Sequence, residues 1–243
     1  MSSNSPSSLA SRGLLASALG PEQRDSRPQR WLWIGAGSVA ALGAAPWQGP
    51  AASPWESEVA QGVTSMRVEA LNVFARGMTV GGAYAFVSFL TLLIAFASFR
   101  RSARAALRLV VSVIGAGLIS RALKVWVARP RPALEAMIDH ASGHSFPSGH
   151  ATSALAFALA LLFWNRDLRA AANPRWLQGL AALYVLLIGW TRVYLGVHYP
   201  TDVIAGYGIA LAWVLAVHWA WARWLPAGRF ARRLVNEGDQ RQG

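Results

Sequence analysis

Long apolar stretches separated by short polar segments dominate the middle of the chain. Six such runs are present, at about 31–46, 79–99, 105–123, 150–164, 176–195 and 203–222. A helix that crosses a bilayer needs roughly 20 apolar residues, with a range of about 17–25. One run alone could be a buried helix of a soluble protein, but six leave too little polar sequence to cover them. The pattern therefore predicts an all-α fold, a bundle of six transmembrane helices.

The segment between the first two runs has a different pattern. Ser53-Pro54-Trp55-Glu56 has the form of a capping box with proline at the first helical position. Apolar residues then recur at helical spacing as far as Phe74. The segment 53–76 is thus expected to form one amphipathic helix on the outer membrane interface, although an ordinary packed helix explains the spacing equally well.

Cationic residues occupy alternate polar segments, which indicates a topology. Of the 23 Lys and Arg, 16 lie in the N-terminal segment, the loops after runs two and four, and the C-terminal segment. Cytoplasmic loops are enriched in Lys and Arg, so both termini are predicted to be cytoplasmic. This arrangement explains the formal net charge of +12 without a nucleic-acid partner. The composition, 54% hydrophobic and 14% charged, agrees with a membrane location.

Three segments follow from this topology. Residues 1–30 are polar, Ser-rich and basic, and are expected to be a disordered cytoplasmic tail rather than a secretory signal. Residues 31–225 are expected to form the membrane-embedded domain, and 226–243 a second cytoplasmic tail. The short chain and its preference for Arg favour a bacterial inner membrane, and the absence of Cys excludes thiol chemistry.

The remaining seven cations lie on the side that should be poor in cations. They are Arg67, Arg76, Arg121, Lys124, Arg129, Arg131 and Arg192. Solvated helix ends explain one or two such charges, but less easily the five at the ends of runs three and five. Unpaired charge inside a membrane span is costly and usually functional, so these cations are candidate site residues. Prolines 130 and 132 hold the Arg-Pro-Arg-Pro segment extended.

Two further clusters fall on the same predicted side. Ser148-Gly149-His150 leads into run four, where the unpaired N–H groups of a helix start can bind an anion, although Ser148 is equally explained as an N-cap. Thr191-Arg192 lies near the end of run five. His198 and Asp202 lie between runs five and six, and Asp202 is directly before run six. Asp202 is suited to orient the His198 ring, the alternative being a helix cap beside an interfacial histidine.

These motifs together resemble a known family. Lys124-x6-Arg131-Pro132, Pro147-Ser148-Gly149-His150 and Thr191-Arg192-x5-His198-x3-Asp202 are similar to the three signatures of the type 2 phosphatidic acid phosphatase family. The resemblance covers about residues 80–225. Thr191 stands where the family usually has Ser, and Arg129-Pro130 repeats the Arg-Pro pair at a spacing from Lys124 that does not fit.

The resemblance implies a role for each motif residue. His198 would attack phosphorus and form a phosphohistidine, Asp202 would hold His198, and His150 would protonate the leaving oxygen. The phosphate would be bound by Lys124, Arg131, Ser148, the Gly149 N–H and Arg192. Neither a metal nor another cofactor is implied. The expected reaction is hydrolysis of a lipid phosphate or diphosphate at an outward-facing site, with undecaprenyl diphosphate, phosphatidic acid and phosphatidylglycerophosphate as possible substrates.

Three other functions would also explain part of this pattern. Vanadium-dependent haloperoxidases share the family's site, but they are soluble and larger, so the six apolar runs count against them. A lipid phosphotransferase that passes the phosphate to an acceptor other than water stays open. A small transporter would place charges at several depths, whereas here they gather on one side. The oligomeric state is left open by the sequence.

Overall fold

The computed structural model describes residues 53–132, 137–139, 141–169 and 172–224. The first apolar run and both predicted tails lie outside these residues. The described part contains helices and no strand, which confirms the all-α prediction. Its helices are α1 (Pro54–Thr64), α2 (Glu69–Val80), α3 (Tyr84–Ser98), α4 (Ala103–Val127), α5 (Gly149–Arg169), α6 (Arg175–Tyr194) and α7 (Pro200–Trp224).

Among the residues that the structure describes, which leave out run one, fewer helices qualify as membrane spans than the six predicted for the whole chain. Helices α4, α6 and α7 are long and apolar enough to cross a bilayer, and α2 with α3, bent by 46°, gives a fourth if the pair counts as one span. Helix α5 coincides with run four and has 21 residues, but polar residues lie at both of its ends. The described residues thus contain three or four candidate spans, and the count of six stays a prediction.

The predicted single amphipathic helix over 53–76 is wrong. The segment forms two helices, and α1 ends at Thr64. The hydroxyl of Thr64 donates to the carbonyl of Gln61 at 3.1 Å, and that of Ser65 donates to Gly62 at 2.8 Å. Such local bonds compete with continuation of a helix. Val68 is then extended before α2 begins.

Close packing of small residues holds the centre of the bundle together. Helices α4, α5 and α7 pack against one another, with α3 against α4 and α6 against α5. Ala116, Ala156 and Ala210 meet in one fully buried cluster. Small side chains let helix backbones approach closely, which is how helices associate where lipid is the solvent. Large apolar side chains instead face outward, as Phe96 (84% exposed) and Trp126 (82% exposed) show.

One glycine brings two functional segments into contact. Gly206 of α7 faces the start of α5 so closely that a Cβ atom there would lie 2.7 Å from the backbone oxygen of Ser148. The Ser148 N–H also donates to the backbone oxygen of Asp202 at 2.9 Å. The first turns of α5 and α7 therefore form one packed unit.

Candidate active site

All eight predicted site residues lie at one end of the bundle, called here the site end. It consists of the C-terminal ends of α4 and α6 and the N-terminal ends of α5 and α7. Lys124 is on α4, and Arg131 follows that helix. Ser148 directly precedes α5, which begins with Gly149 and His150. The last turn of α6 contains Arg192. His198 precedes α7, and Asp202 is in its first turn. Alternating helix directions thus gather motifs that lie up to 78 residues apart.

His198 and Asp202 form a buried pair. His198 Nδ1 lies 3.4 Å from Asp202 Oδ2, and the two side chains are 3% and 0% exposed. Helix α7 begins at Pro200, so the histidine lies in the loop before it. The other ring nitrogen, Nε2, lies 3.4 Å from Nη1 of Arg131. Because a guanidinium only donates, Nε2 is assigned as the acceptor and Nδ1 as the nitrogen that carries the proton toward Asp202.

The charge state of His198 follows from its burial. Burial lowers the pKa of His198 to about 4, and the opposing effect of the Asp202 carboxylate does not offset it. The imidazole is therefore neutral near pH 7, with a lone pair on Nε2. A neutral histidine held by a carboxylate has the form of a nitrogen nucleophile.

Three cations converge beside His198. Arg131 donates to the carbonyl of Val197 at 2.6 Å, and Lys124 donates to the carbonyl of His144 at 2.7 Å. Arg192 is 3% exposed and contacts the Thr79 hydroxyl of α2. Lys124 interacts electrostatically with Arg131, Arg192 and Asp202, so these charges share one region. The arrangement is suited to a ligand with several negative oxygens.

The start of α5 adds backbone donors to the same region. The first intrahelical bond runs from the Thr152 N–H to the carbonyl of Ser148 at 3.0 Å, so the N–H groups of Gly149 and His150 precede it. Such groups at a helix start bind anions. Ser148 Oγ accepts a long bond of 3.5 Å from the Ala151 N–H, so the capping role considered from the sequence is present as well. His150 lies within electrostatic reach of His198 and of all three cations.

Sequence reasoning missed two residues of this site. Arg129, set aside because of its spacing, is 5% exposed and lies 2.8 Å from Asp202 Oδ1. Its other ion-pair partner is Glu56, which the sequence identified only as part of a helix cap. The position of Arg129 on the cation-poor side was the available signal. The Glu56 partnership joins residues 73 apart in the chain, so no local pattern could reveal it.

In the part of the chain that the structure describes, no group of three or more His, Cys, Asp and Glu side chains is placed to hold a metal ion. Metal independence stays a prediction.

Comparison with known proteins identifies the family. The sequence model of the PAP2 superfamily matches residues 105–225. The chain is 34% identical over 134 residues to undecaprenyl-diphosphatase BcrC of Bacillus subtilis, covering 53% of this chain and 65% of that protein. It is 38% identical over 109 residues to a lipid A 1-phosphatase of Rhizobium etli, covering 40% of this chain and 42% of that protein. The chain therefore spans about half the length of the curated relatives it matches.

A solved structure extends the likeness to the fold. The crystal structure of a transmembrane PAP2 type phosphatidylglycerolphosphate phosphatase from Bacillus subtilis superimposes with a TM-score of 0.65 at 25% identity. The superposition covers 83% of this chain and 99% of that one. Together with the candidate spans, this makes the chain a multi-pass membrane protein. The chain belongs to the PAP2 superfamily.

Proposed function

We propose that this chain hydrolyses a lipid phosphate or diphosphate through a phosphohistidine formed on His198. The observation that carries the proposal is the setting of His198. Asp202 contacts one ring nitrogen, and the guanidinium of Arg131 lies 3.4 Å from the other. Lys124 and Arg192 lie in the same charged region, beside the start of α5. A phosphoryl group placed there would meet a nucleophile and several donors to its oxygens.

In the first step, His198 Nε2 attacks phosphorus. The Nε2–P bond forms as the bond from phosphorus to the leaving oxygen breaks, and His150 gives that oxygen a proton. The leaving oxygen belongs to the lipid alcohol in a monoester and to the lipid monophosphate in a diphosphate. Asp202 accepts the Nδ1 hydrogen bond and stabilises the positive charge that develops on the ring. Lys124, Arg131, Arg192 and the start of α5 stabilise the three equatorial oxygens.

In the second step, water attacks the phosphohistidine. His150, now neutral, takes a proton from the water as the oxygen bonds to phosphorus and the Nε2–P bond breaks. Inorganic phosphate leaves, and both histidines return to their starting states. One histidine thus serves as acid and then as base, as reversal of the same proton transfer requires.

An isoprenoid diphosphate is the substrate class we favour. Relatives named for undecaprenyl diphosphate match over up to 65% of their length. Other lipid phosphates stay as alternatives, because one relative is named for lipid A and the solved structure for phosphatidylglycerolphosphate. All these substrates present a phosphate on a lipid, which the charged region at the site end suits.

A panel of lipid phosphates assayed with the purified protein tests this proposal. We expect phosphate release from undecaprenyl diphosphate to exceed that from phosphatidic acid, phosphatidylglycerophosphate and lipid A, and to persist in excess chelator. Activity lost in chelator and restored by metal would exclude the metal-free mechanism. Transfer of labelled phosphate to an added alcohol rather than to water would indicate the phosphotransferase, and no release from any lipid would favour the transporter.

The topology forms part of the same proposal. We place the site end outside an inner bacterial membrane, residues 31–225 in the membrane, and the tails 1–30 and 226–243 in the cytoplasm. The Arg distribution supports this orientation. A periplasmic reporter fused after Asp139 should be active, and one fused after Arg169 should not. The opposite result would place the chemistry in the cytoplasm.

A further inference from the structure

Arg129 is buried between two carboxylates at the site end. Its Nη1 lies 2.8 Å from Asp202 Oδ1, and its Nη2 lies 3.0 Å from both carboxylate oxygens of Glu56. The side chains of Arg129, Glu56 and Asp202 are 5%, 5% and 0% exposed. A buried charge is costly unless it is paired, so a chain of three ionic groups ending at the carboxylate beside His198 needs an explanation.

The contact with Asp202 determines how that carboxylate is oriented. Oδ1 accepts from Arg129, while Oδ2 faces His198 Nδ1 and also accepts from the Tyr199 N–H at 2.9 Å and from the Ser145 hydroxyl. A carboxylate is planar, so holding one oxygen restricts where the other can lie. Arg129 therefore constrains the oxygen that holds the histidine ring.

Glu56 in turn holds Arg129. It is the one buried residue of α1, a helix whose other side chains are exposed or half-buried. Burial alone would raise the pKa of Glu56, but hydrogen bonds from Thr201, Ser53 and Arg129 outweigh it and keep that pKa below its ordinary value. The guanidinium of Arg129 also lies 4.4 Å from the centroid of the Tyr199 ring. Its position is thus constrained on two sides.

We propose that Arg129 and Glu56 are positioning residues that act on His198 through Asp202. The inference rests on the proposed function, because it assigns His198 as the nucleophile. Both side chains act on the carboxylate rather than on phosphate oxygens. Their loss should therefore slow attack by His198 and leave binding of the phosphate group nearly unchanged. Helix α1 then contributes to the chemistry although none of the sequence motifs lies on it.

Paired variants with matched controls test this inference. Arg129→Gln is compared with Arg67→Gln, since Arg67 is a partly buried arginine that donates to the Tyr194 carbonyl at 2.9 Å. Glu56→Gln is compared with Glu58→Gln, an exposed carboxylate of the same helix. Single-turnover hydrolysis of undecaprenyl diphosphate gives a rate constant separately from the active fraction. Binding of orthovanadate and of orthophosphate compares a transition-state analogue with a ground-state ion.

We expect Arg129→Gln to lower the rate constant about 100-fold and Glu56→Gln about 10-fold, with KM changed by less than about twofold. Vanadate binding should weaken while phosphate binding is kept. The double variant Glu56→Gln/Arg129→Gln should be no slower than Arg129→Gln, because Glu56 acts only through Arg129. If Arg129→Gln does not fold, Glu56→Gln gives the decisive comparison.

Three other outcomes would contradict the positioning role or the proposed substrate. An active fraction that falls with the rate constant unchanged would show a merely structural role and overturn the inference. The same holds if the control variants lose as much as the paired ones. If the wild type does not hydrolyse undecaprenyl diphosphate, the proposed substrate fails. The vanadate and phosphate affinities of the variants still decide the role of Arg129 in that case.

Discussion

The two ends of the bundle contain the same three residue types in different arrangements. At the site end, Arg129, Asp202 and His198 are buried together. At the far end, near the start of α4 and the ends of α5 and α7, Arg108 pairs with Asp167 and lies 3.0 Å from His218 Nδ1. Arginine, aspartate and histidine in contact therefore do not by themselves identify a catalytic site.

The order of the groups distinguishes the two ends. At the site end the carboxylate contacts the histidine directly, and Arg131 lies at the other ring nitrogen. At the far end the arginine stands between carboxylate and histidine, and the His218 ring is stacked on Phe163 with centroids 4.1 Å apart. His218 thus has a cation where His198 has a carboxylate. We infer that Arg108, Asp167 and His218 tie three helices together, whereas His198 is set up for attack.

Removing each histidine should give the largest difference between the two ends. His198→Ala should lower turnover by at least about 10⁴-fold and abolish the phosphoenzyme, because no other group replaces the nucleophile. His218→Ala should change the single-turnover rate constant by less than about threefold and cost mainly stability, about 1–3 kcal/mol. Rapid-quench labelling and thermal unfolding measure both. A phosphohistidine that persists in His198→Ala would show that the nucleophile is another residue.

The second histidine of the site should respond to the leaving group. His150→Ala should lower hydrolysis of phosphatidic acid about 10²–10⁴-fold, because its alkoxide leaving group needs a proton. With nitrophenyl phosphate, whose leaving group needs little protonation, formation of the phosphoenzyme should be partly rescued. Single-turnover kinetics on both substrates make the comparison. An equal loss on both would mean that His150 does not act as the general acid.

The motifs that the structure gathers at the site end are recognisable in the sequence because each is local, while the roles of their residues stay predictions. His198 and Asp202 are four residues apart, and Lys124 and Arg131 are seven apart, so each motif lies within one short segment. The helical class followed from apolar runs in the same way. The helix break after Thr64 depends on weak hydroxyl bonds, and the Glu56–Arg129 pair depends on how α1 packs on the bundle. The break is thus set by local bonds and the pair by tertiary structure, and the spacing of apolar residues shows neither.

Adding one methyl group at a glycine should affect activity at the site end and have no effect elsewhere in the bundle. Gly206→Ala would bring a Cβ to 2.7 Å from the Ser148 carbonyl oxygen, so α5 and α7 must move apart. We expect a loss of kcat of about 10- to 100-fold, because the start of α5 and Asp202 shift relative to each other. Gly179→Ala on α6 is the control and should keep full activity, because an added Cβ there would meet no atom of another helix within 4 Å. Similar activity of both variants would argue against close α5–α7 packing.

The smallest expected effect is the response of His198 to mild acid. Burial lowers its pKa to about 4, whereas an exposed histidine has a pKa of about 6.5. A lowered pKa means that the neutral, nucleophilic form is present above pH 4 and is lost only as the pH falls through that value. Roughly nine tenths of His198 should therefore stay neutral at pH 5, compared with about 3% for an exposed histidine. Histidine NMR of the detergent-solubilised protein, with the signal assigned by its absence in His198→Ala, measures this directly. A midpoint near 6.5 would mean that water reaches the ring, and that the direct Asp202 contact holds a charged imidazolium rather than a neutral nucleophile.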